Sequence, residues 1–271
     1  MTGDSLTSGA PSCLIVIPAR FPSTRFPGKP LADLNGKPMI QHVWERAMAT
    51  QYAGQVRVAT DDFRIAERVR SFGGEVLMTS ADHRTGTERV AEAAERFPAE
   101  VVVNLQGDLP LFQPKTLDSL IGACRASLEK GEFDLATAKS EIFSEEELFS
   151  PHSVKVVTDR EGFALYFSRS PIPYVEKGGF ENGKGPFKFY KHYGIYIFRR
   201  DFLLRIARSP EGPLEKMERL EQLRVLEQGG RIRVLEIEQE EARFFHEVNT
   251  PEDLVKAREI LSSRGFSSPV T

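Results

Sequence analysis

The sequence predicts an α/β fold in which a mostly parallel central sheet lies between two layers of helices, as in Rossmann-like proteins, with a smaller β-rich part. Two observations support this prediction. Up to about residue 139, short apolar runs typical of buried strands alternate with segments whose apolar residues recur at helical spacing. After that point, strand-like runs follow one another without a full helix between them, which indicates antiparallel pairing.

Four apolar runs predict the parallel strands, at residues 14–17, 56–59, 75–78 and 101–105. Each run is followed by a segment with helical spacing. The first helix is predicted to begin at Pro38, and the second to end at Gly73-Gly74. The third is predicted over residues 87–97, and the fourth carries the apolar stripe of Leu117, Ile121 and Cys124. Because helices of this kind connect parallel strands, we expect them on both faces of the sheet.

The later part of the chain predicts a smaller β-rich part, at about residues 140–200. Its strands are predicted at residues 154–157, 164–167 and 194–198, with a Gly-rich surface loop over residues 176–186. Residues 1–12 are small and polar and predict a disordered tail. The remainder, residues 13–271, predicts a single domain that includes the smaller part.

Two more helices follow the predicted strands. Pro213 predicts the start of one whose apolar residues recur at every third position until Gly229-Gly230. The last helix has a capping signal, with Thr250 as its N-cap, Pro251 next, and Asp253 three residues after the cap.

Composition excludes some partners. The formal net charge is −3 over 271 residues, so no basic field favours binding to nucleic acid or to an acidic membrane. The two cysteines, Cys13 and Cys124, are far apart and predict buried thiols rather than a disulfide framework or a zinc site. The first 13 residues include an early acid and no apolar core, so we expect no secretory signal and a cytoplasmic protein.

The loop after the first strand carries the strongest chemical signal. Between Arg20 and Lys29 it holds two arginines, one lysine, two hydroxyls and a glycine. Ligands of parallel sheets bind beyond the carboxyl ends of strands, and Arg and Lys are the usual partners of phosphate oxygens. The alternative is a solvated basic turn. The loop has neither the Walker A order nor a G-x-G-x-x-G pattern, so it predicts another kind of triphosphate site.

Two further segments carry polar residues next to predicted strands or helices. Gln106-Gly107-Asp108 ends a central strand, where the carboxylate either closes an Asx-type turn or binds Mg²⁺. Thr85, at the start of a helix, is either a simple N-cap or part of a ligand site. Along the strand that His192 opens, alternation places His192, Gly194 and Tyr196 on one face.

These motifs together resemble a known family. IPARFPSTRFPGKPLADLNGKPMIQHVWERA resembles the opening of the CMP-Kdo synthetases, cytidylyltransferases related to those that activate sialic acids (Kdo is 3-deoxy-manno-octulosonic acid). VATDD, GTERVAEA, VNLQGD, ALYFSRSPIPY, KHYGIYIF, LEKMERLEQLRVLEQG and VNTPEDL follow in the family's order. The resemblance covers residues 14–262 and implies a three-layer nucleotidyltransferase fold.

The resemblance implies a reaction and a site. CMP would move from CTP to Kdo with release of pyrophosphate, which activates the sugar for lipopolysaccharide biosynthesis; Mg²⁺ would be the cofactor and the enzyme a homodimer. The residues implied to hold the nucleotide are Arg20, Ser23, Arg25, Lys29, Thr85, Arg89 and Gln106, and Arg20, Arg25, Lys29 and Asp108 would be catalytic. Those implied to hold the sugar are Arg169, His192, Tyr196, Glu221 and Gln222. The metal would lie at Asp108 and Asn249.

The chain departs from the family pattern at two positions. Leu109 stands where the family has a glutamate after Gln-Gly-Asp, and Asn249 stands where it has a second metal-binding aspartate. A branch of the family that activates the 8-amino analogue of Kdo resembles this chain at both positions, so that sugar is an alternative substrate. Asn249 also keeps open a function of another class, a nucleotide-sensing protein without turnover.

Overall fold

The computed structural model describes residues 13–23, 26–174, 180, 185 and 187–263. The strands are β1 (Cys13–Ala19), β2 (Asp33–Leu34), β3 (Lys37–Pro38), β4 (Val56–Thr60), β5 (Val76–Met78), β6 (Val101–Leu105), β7 (Leu135–Glu141), β8 (Lys155–Thr158), β9 (Ala164–Ser168), β10 (Tyr190–Arg199) and β11 (Ile232–Glu236). The helices are α1 (Met39–Met48), α2 (Phe63–Ser71), α3 (Gly86–Arg96), α4 (Pro114–Glu129), α5 (Glu145–Phe149), α6 (Arg200–Ala207), α7 (Pro213–Glu218), α8 (Gln222–Glu227), α9 (Gln239–Ala242) and α10 (Pro251–Ser262).

The central sheet has the strand order β11-β7-β10-β6-β1-β4-β5. β6, β1, β4 and β5 pair in parallel, as do β11 and β7, whereas β10 is antiparallel to both of its neighbours. The strand order reverses direction at β1, because β4 lies on one side of it and β6 on the other. Ligand crevices open at such a switch point, beyond the carboxyl ends of the strands.

Helices cover both faces of this sheet, so the predicted fold class is confirmed. Ile15 and Ile17 of β1 belong to one buried cluster, together with residues of α1, α2 and α4. Leu14 and Val16 point to the opposite face and pack with residues of α3, α6 and α8. Each cluster is continuous over several strands, which is the packing expected of a three-layer α/β protein.

The predicted strands at residues 154–157 and 164–167 correspond to β8 and β9, which form an antiparallel hairpin. β8 also pairs with β10 through Lys155 and Lys191, so the hairpin continues the central sheet at its carboxyl edge. That residues 13–271 form a single domain stays a prediction. That residues 140–200 form a distinct smaller part of it stays a prediction as well. The predicted tail at 1–12 lies outside the described residues, as does most of the predicted loop at 176–186.

The helix predicted from Pro213 to Gly229-Gly230 is wrong as a single element. The chain forms α7 and α8, separated by Arg219 with φ 56°. Leu214 and Met217, which the pattern placed on a buried stripe, are 41% and 83% exposed. After the break, Leu220 is buried. The apolar residues that recur at every third position therefore do not form one continuous buried stripe.

The last helix agrees with its prediction: Thr250 accepts from the Asp253 N–H, and Asp253 accepts from the Thr250 N–H, which completes the capping box. Within the described residues no helix is long and apolar enough to cross a membrane.

Candidate active site

A cleft of about 680 Å³ opens beyond the carboxyl ends of β1 and β6, and we call it the larger cleft. Its cationic side chains come from Arg20, Lys29, Arg84 and Arg89, and its carboxylates from Asp108 and Glu221. Its volume lies within the usual range for small-molecule sites. The excess of positive charge suits an anionic ligand such as a triphosphate.

The predicted phosphate loop forms one wall of the larger cleft. Arg20, Ser23 and Lys29 line it, while Arg25 lies outside the described residues. The loop closes where the Gly28 N–H bonds the Phe21 carbonyl at 2.9 Å. Gly28 has φ +71°, and a Cβ there would meet the Phe21 ring at 3.0 Å. Only glycine adopts this backbone without strain while the ring packs so closely.

Lys29 and Asp108 meet in the larger cleft. Lys29 Nζ lies 2.8 Å from Asp108 Oδ2, and both side chains keep some exposure to the cleft. Between Gln106 and Asp108, Gly107 allows the chain to pass close to β1, because a Cβ there would lie 2.9 Å from the Pro18 carbonyl oxygen. The ends of β1 and β6 therefore carry Lys29 and Asp108 to the same point.

Helix α3 begins in the lining of the larger cleft. Thr85 is its N-cap and accepts from the Glu88 N–H at 3.2 Å, so the capping interpretation is correct, although Thr85 also lines the cleft. Arg89 is 4% exposed, and its guanidinium lies 3.0 Å from Asp61 Oδ1 and bonds Thr79. Burial lowers the pKa of Arg89, and Asp61 opposes that shift. Asp61 thus holds a buried cation at the cleft wall.

A second cleft, of about 150 Å³, adjoins the first, and we call it the smaller cleft. Gln106 and Asp108 line both clefts and form their shared wall. The Gln106 amide donates to Asn104 Oδ1 at 2.9 Å, which orients it. Of the residues predicted to hold the sugar, His192, Tyr196 and Gln222 line the smaller cleft, while Glu221 lines the larger one.

His192 is held as a neutral ring. Its Nε2 lies 2.8 Å from Thr137 Oγ1, and its ring packs edge-on against Phe167 at 4.9 Å between centroids. Burial lowers the pKa of His192 to about 3, because charging the ring in these surroundings would cost hydration. At neutral pH this histidine therefore offers hydrogen bonds and carries no charge.

The depressed pKa of His192 predicts a contribution to acid lability. The unfolded chain takes up this proton below the ordinary pKa of 6.5, whereas the folded chain does so only near the lowered value of about 3. Stability from this group is therefore lost as pH falls through that window. Relative to His192→Gln, wild type should lose about 2 kcal/mol of unfolding free energy between pH 6.5 and pH 5. Urea unfolding of both proteins measures it, and parallel curves would contradict the assignment.

Glu221 and Gln222 connect the two clefts. The Glu221 carboxylate accepts from the Thr87 N–H in the first turn of α3 at 3.1 Å, where negative charge is favoured at a helix N-terminus. The next residue, Gln222, accepts from the Tyr196 hydroxyl at 3.1 Å in the smaller cleft. The start of α8 therefore lines the larger cleft with Glu221 and the smaller cleft with Gln222.

Arg169 is not among the described residues that line either cleft. Its guanidinium donates to the backbone carbonyls of Pro151, Glu218 and Arg219. Its own carbonyl accepts from the buried ammonium of Lys155 at 2.6 Å. Arg169 thus supports the frame around the smaller cleft, and its predicted contact with a ligand stays a prediction.

Sequence reasoning missed Glu247 and Lys191, which line the smaller cleft. Burial and the negative charge of Asp108 raise the pKa of Glu247, and Lys191 opposes that shift. Lys191 Nζ also lies 3.0 Å from Glu147. No periodic pattern signalled Glu247, because residues 245–249 form neither helix nor strand.

Oxygen donors for a cation are grouped where the clefts meet. Asp108 and Asn249 line the larger cleft, and Glu247 lies in the smaller one near Asp108. In the described part of the chain, no group of three or more His, Cys, Asp or Glu side chains could hold a metal. A divalent cation would therefore need ligand oxygens as well, which is how Mg²⁺ commonly binds together with substrate phosphates.

Known proteins are similar to this chain over most of its length. A family model described as cytidylyltransferase matches residues 14–237. The 3-deoxy-manno-octulosonate cytidylyltransferase of Geobacter sulfurreducens is 50% identical over 253 residues, covering 91% of this chain and 98% of that protein. The same enzyme of Syntrophus aciditrophicus is 47% identical, covering 92% and 97%.

Two solved structures have similar folds. The structure of CMP:2-keto-3-deoxy-manno-octonic acid synthetase complexed with CTP matches with a TM-score of 0.82 and 41% identity, covering 93% of this chain and 98% of that one. A cytidylyltransferase from Leptospira borgpetersenii matches with a TM-score of 0.62 at 19% identity, over 95% of this chain and 89% of that one; at that identity the likeness shows the fold alone.

Proposed function

The chain belongs to the cytidylyltransferase family, among the 3-deoxy-manno-octulosonate cytidylyltransferases, and from that premise we propose that it transfers CMP from CTP to Kdo and releases pyrophosphate. The observation that carries the proposal is the pair of adjoining clefts. One has an excess of cationic side chains suited to a triphosphate, and it shares Gln106 and Asp108 with a second, smaller cleft. The product is the activated sugar of lipopolysaccharide biosynthesis.

The residues of the larger cleft account for nucleotide binding. Arg20 and Lys29 offset the charge of the triphosphate, together with Arg25 as the sequence predicts, and Ser23 adds a hydroxyl. Thr85 and Arg89 also line the larger cleft, and we assign them to the base and ribose of the nucleotide. Fixed cations that meet charge developing on transferred phosphate lower the barrier without a covalent enzyme intermediate.

We assign the acceptor sugar to the smaller cleft, which adjoins the proposed phosphate site through Gln106 and Asp108. The sugar's anomeric hydroxyl attacks the α-phosphorus, forming the new oxygen–phosphorus bond as the bond to pyrophosphate breaks, and the hydroxyl proton is released to solvent. His192, Tyr196 and Gln222 orient the sugar with uncharged hydrogen-bonding groups, and Gln106 lies in the wall that the two clefts share. Positioning of two bound reactants can supply most of the rate enhancement of such a transfer.

Mg²⁺ fits the oxygen donors at the junction of the clefts. Asp108 would hold it, with the neutral carbonyl oxygen of Asn249 as a second ligand and phosphate oxygens as others. When bound, the metal supplies positive charge that offsets the charge of the triphosphate. Lys29, which belongs to the phosphate loop, pairs with the Asp108 carboxylate at 2.8 Å and helps to hold its orientation in the cleft.

Pyrophosphate release tests this function and its alternatives. Purified protein with CTP and Mg²⁺ should release pyrophosphate when Kdo is added and little without a sugar. Assays of Kdo and its 8-amino analogue side by side identify the preferred sugar. If kcat/KM is higher for the analogue, the analogue is the substrate in place of Kdo. CTP binding without release with either sugar would instead support the nucleotide-sensing alternative.

Asn249→Asp is expected to lower the Mg²⁺ concentration that gives half-maximal activity. The added carboxylate beside Asp108 would attract the cation in a partly desolvated cleft, and without metal the two carboxylates would repel and raise one pKa. The change is measured by following activity as Mg²⁺ is added, and by following the intrinsic fluorescence of the CTP-bound protein over the same Mg²⁺ range. Superimposable curves would mean that residue 249 shapes only the turn before α10, where its N–H bonds Asp253.

We also infer that the enzyme is a cytoplasmic homodimer whose contact lies in the β-rich part. Large apolar side chains are exposed there, including Leu165 at 62%, Phe187 at 74% and Tyr174 at 88%. Exposed apolar groups concentrated in one region often mark an interface. Light scattering of the protein as it elutes from a size-exclusion column tests whether it is a dimer. If β9 lies in the dimer contact, Leu165→Lys should increase the monomer fraction.

A further inference from the structure

Strand β10 is irregular beside the smaller cleft. Tyr193 pairs with Ala138 of β7, and the next pair is Ile197 with Ala136. Between those pairs β10 carries three residues, 194 to 196, opposite the single residue Thr137. Bulges of this kind often re-aim side chains next to active sites. Here Gly194 and Tyr196, both within the bulge, line the smaller cleft.

Thr137 occupies the gap that the bulge leaves. Its Oγ1 lies 3.1 Å from the Tyr193 carbonyl oxygen, 2.8 Å from the Ile195 carbonyl oxygen and 2.8 Å from His192 Nε2. The residue is 1% exposed, so these three atoms are the partners that the structure offers to its hydroxyl. Buried polar groups are rarely left unpaired, and the assignment of hydrogens follows from that requirement.

Only one direction of the hydrogen bond between Thr137 and His192 is compatible with these contacts. The hydroxyl has a single hydrogen, and both carbonyl oxygens can only accept. If the hydroxyl donated to His192, its oxygen would face two carbonyl oxygens with no hydrogen between them. The hydroxyl therefore directs its one hydrogen toward the carbonyl oxygens, the nearer of which is that of Ile195 at 2.8 Å, and accepts from His192, which must carry its hydrogen on Nε2. Because burial keeps the ring neutral, Nδ1 carries none.

We propose that Thr137 is a positioning residue of the smaller cleft, whose hydroxyl holds the bulge of β10 and fixes His192 as the Nε2–H tautomer. Thr137 lines neither cleft in the described residues, and it acts through its neighbours. Within those residues Nδ1 of His192 makes no hydrogen bond, so the ring presents an acceptor to a hydroxyl group of the ligand. The proposal rests on the proposed function in one respect, that the acceptor sugar binds in this cleft.

The tautomer can be read directly by ¹⁵N NMR of the histidine rings, with His192 assigned through His192→Gln. Protonated and bare ring nitrogens differ clearly in chemical shift. The ligand-free wild type should show a single tautomer with the hydrogen on Nε2. A hydrogen on Nδ1, or an exchanging mixture, would overturn the proposal without any change to Thr137.

Two variants separate the hydroxyl from the volume of the side chain. Thr137→Val removes the hydroxyl and keeps the shape, whereas Thr137→Ser keeps the hydroxyl. In the valine variant we expect the Nε2–H population to fall and the KM for the sugar to rise about tenfold, the loss of one oriented hydrogen bond. The KM for CTP should stay within error, and serine should restore both the tautomer and the sugar KM.

The outcomes distinguish the possible failures. If the valine variant keeps the wild-type tautomer and the wild-type KM for the sugar, the positioning role is overturned. It is also overturned if the serine variant keeps the wild-type tautomer but its KM for the sugar rises as much as that of the valine variant. If valine prevents folding, the wild-type spectrum and the serine variant still decide the question. If wild type shows the Nε2–H tautomer but no turnover with Kdo, the proposed function fails while the role of Thr137 in fixing the ring stands.

Discussion

Lys29→Ala is expected to lower kcat/KM for CTP by about 10²–10³-fold, the usual effect of removing one preorganised group from a site of developing charge. Lys29 comes from the phosphate loop and contacts Asp108 at 2.8 Å, so its removal takes a cation from the triphosphate and leaves Asp108 unpaired. Steady-state kinetics with varied CTP, and titration of CTP binding, measure the loss.

Lys37→Ala is the matched control for this prediction. Lys37 also forms an ion pair at 2.8 Å, with Glu45, but it is not among the described residues that line the clefts. Its removal should leave kcat/KM unchanged, since exposed ion pairs contribute little. Equal losses in the two variants would mean that charge in general, rather than the position of Lys29, is responsible.

Gly107→Ala is expected to reduce activity by about 100-fold, because a small displacement of reacting groups can cost that much. The new Cβ would lie 2.9 Å from the Pro18 carbonyl oxygen and 3.4 Å from Ile40 Cδ1. The backbone at the end of β6 must therefore shift away from β1, carrying Gln106 and Asp108 with it. We expect a loss of about 1–3 kcal/mol in unfolding free energy from the overpacking.

Gly122→Ala provides the control. Gly122 lies within α4, and a Cβ there would meet only the Tyr52 hydroxyl, at 3.5 Å. This substitution should leave activity unchanged and should stabilise the helix slightly, since alanine is the better helix former. Wild-type activity in the Gly107 variant would show that the two strand ends need not approach so closely for turnover.

The sequence allowed prediction of the strands whose side chains are mostly apolar and of the helices whose apolar residues recur at helical spacing. The run at 101–105 corresponds to β6, which is buried at every position. β7 was missed although its first six residues are also buried, because Thr137, Lys139 and Ser140 interrupt its apolar pattern. Their polar groups are satisfied across the sheet, as in the 2.8 Å contact of Ser140 Oγ with the Tyr193 hydroxyl, and a single sequence does not show such pairings.

The same limit applied to the site. The phosphate loop and Asp108 were predictable because each follows a recognisable strand. Asp61, which holds Arg89, and Thr137, which holds His192, contact residues distant in sequence. The break between α7 and α8 was not predictable either, since Arg219 is a non-glycine residue in the left-handed region, and that break directs Glu221 to Thr87 and Gln222 to Tyr196.

The product of the reaction tests the central claim most directly. Protein incubated with CTP, Mg²⁺ and Kdo should convert them to CMP-Kdo and pyrophosphate in equal amounts, identified and quantified by mass spectrometry against a sample without sugar. The account predicts one CMP-Kdo for each CTP consumed. CTP consumed as free CMP or CDP, or no consumption of CTP while both substrates bind, would contradict transfer between the two clefts.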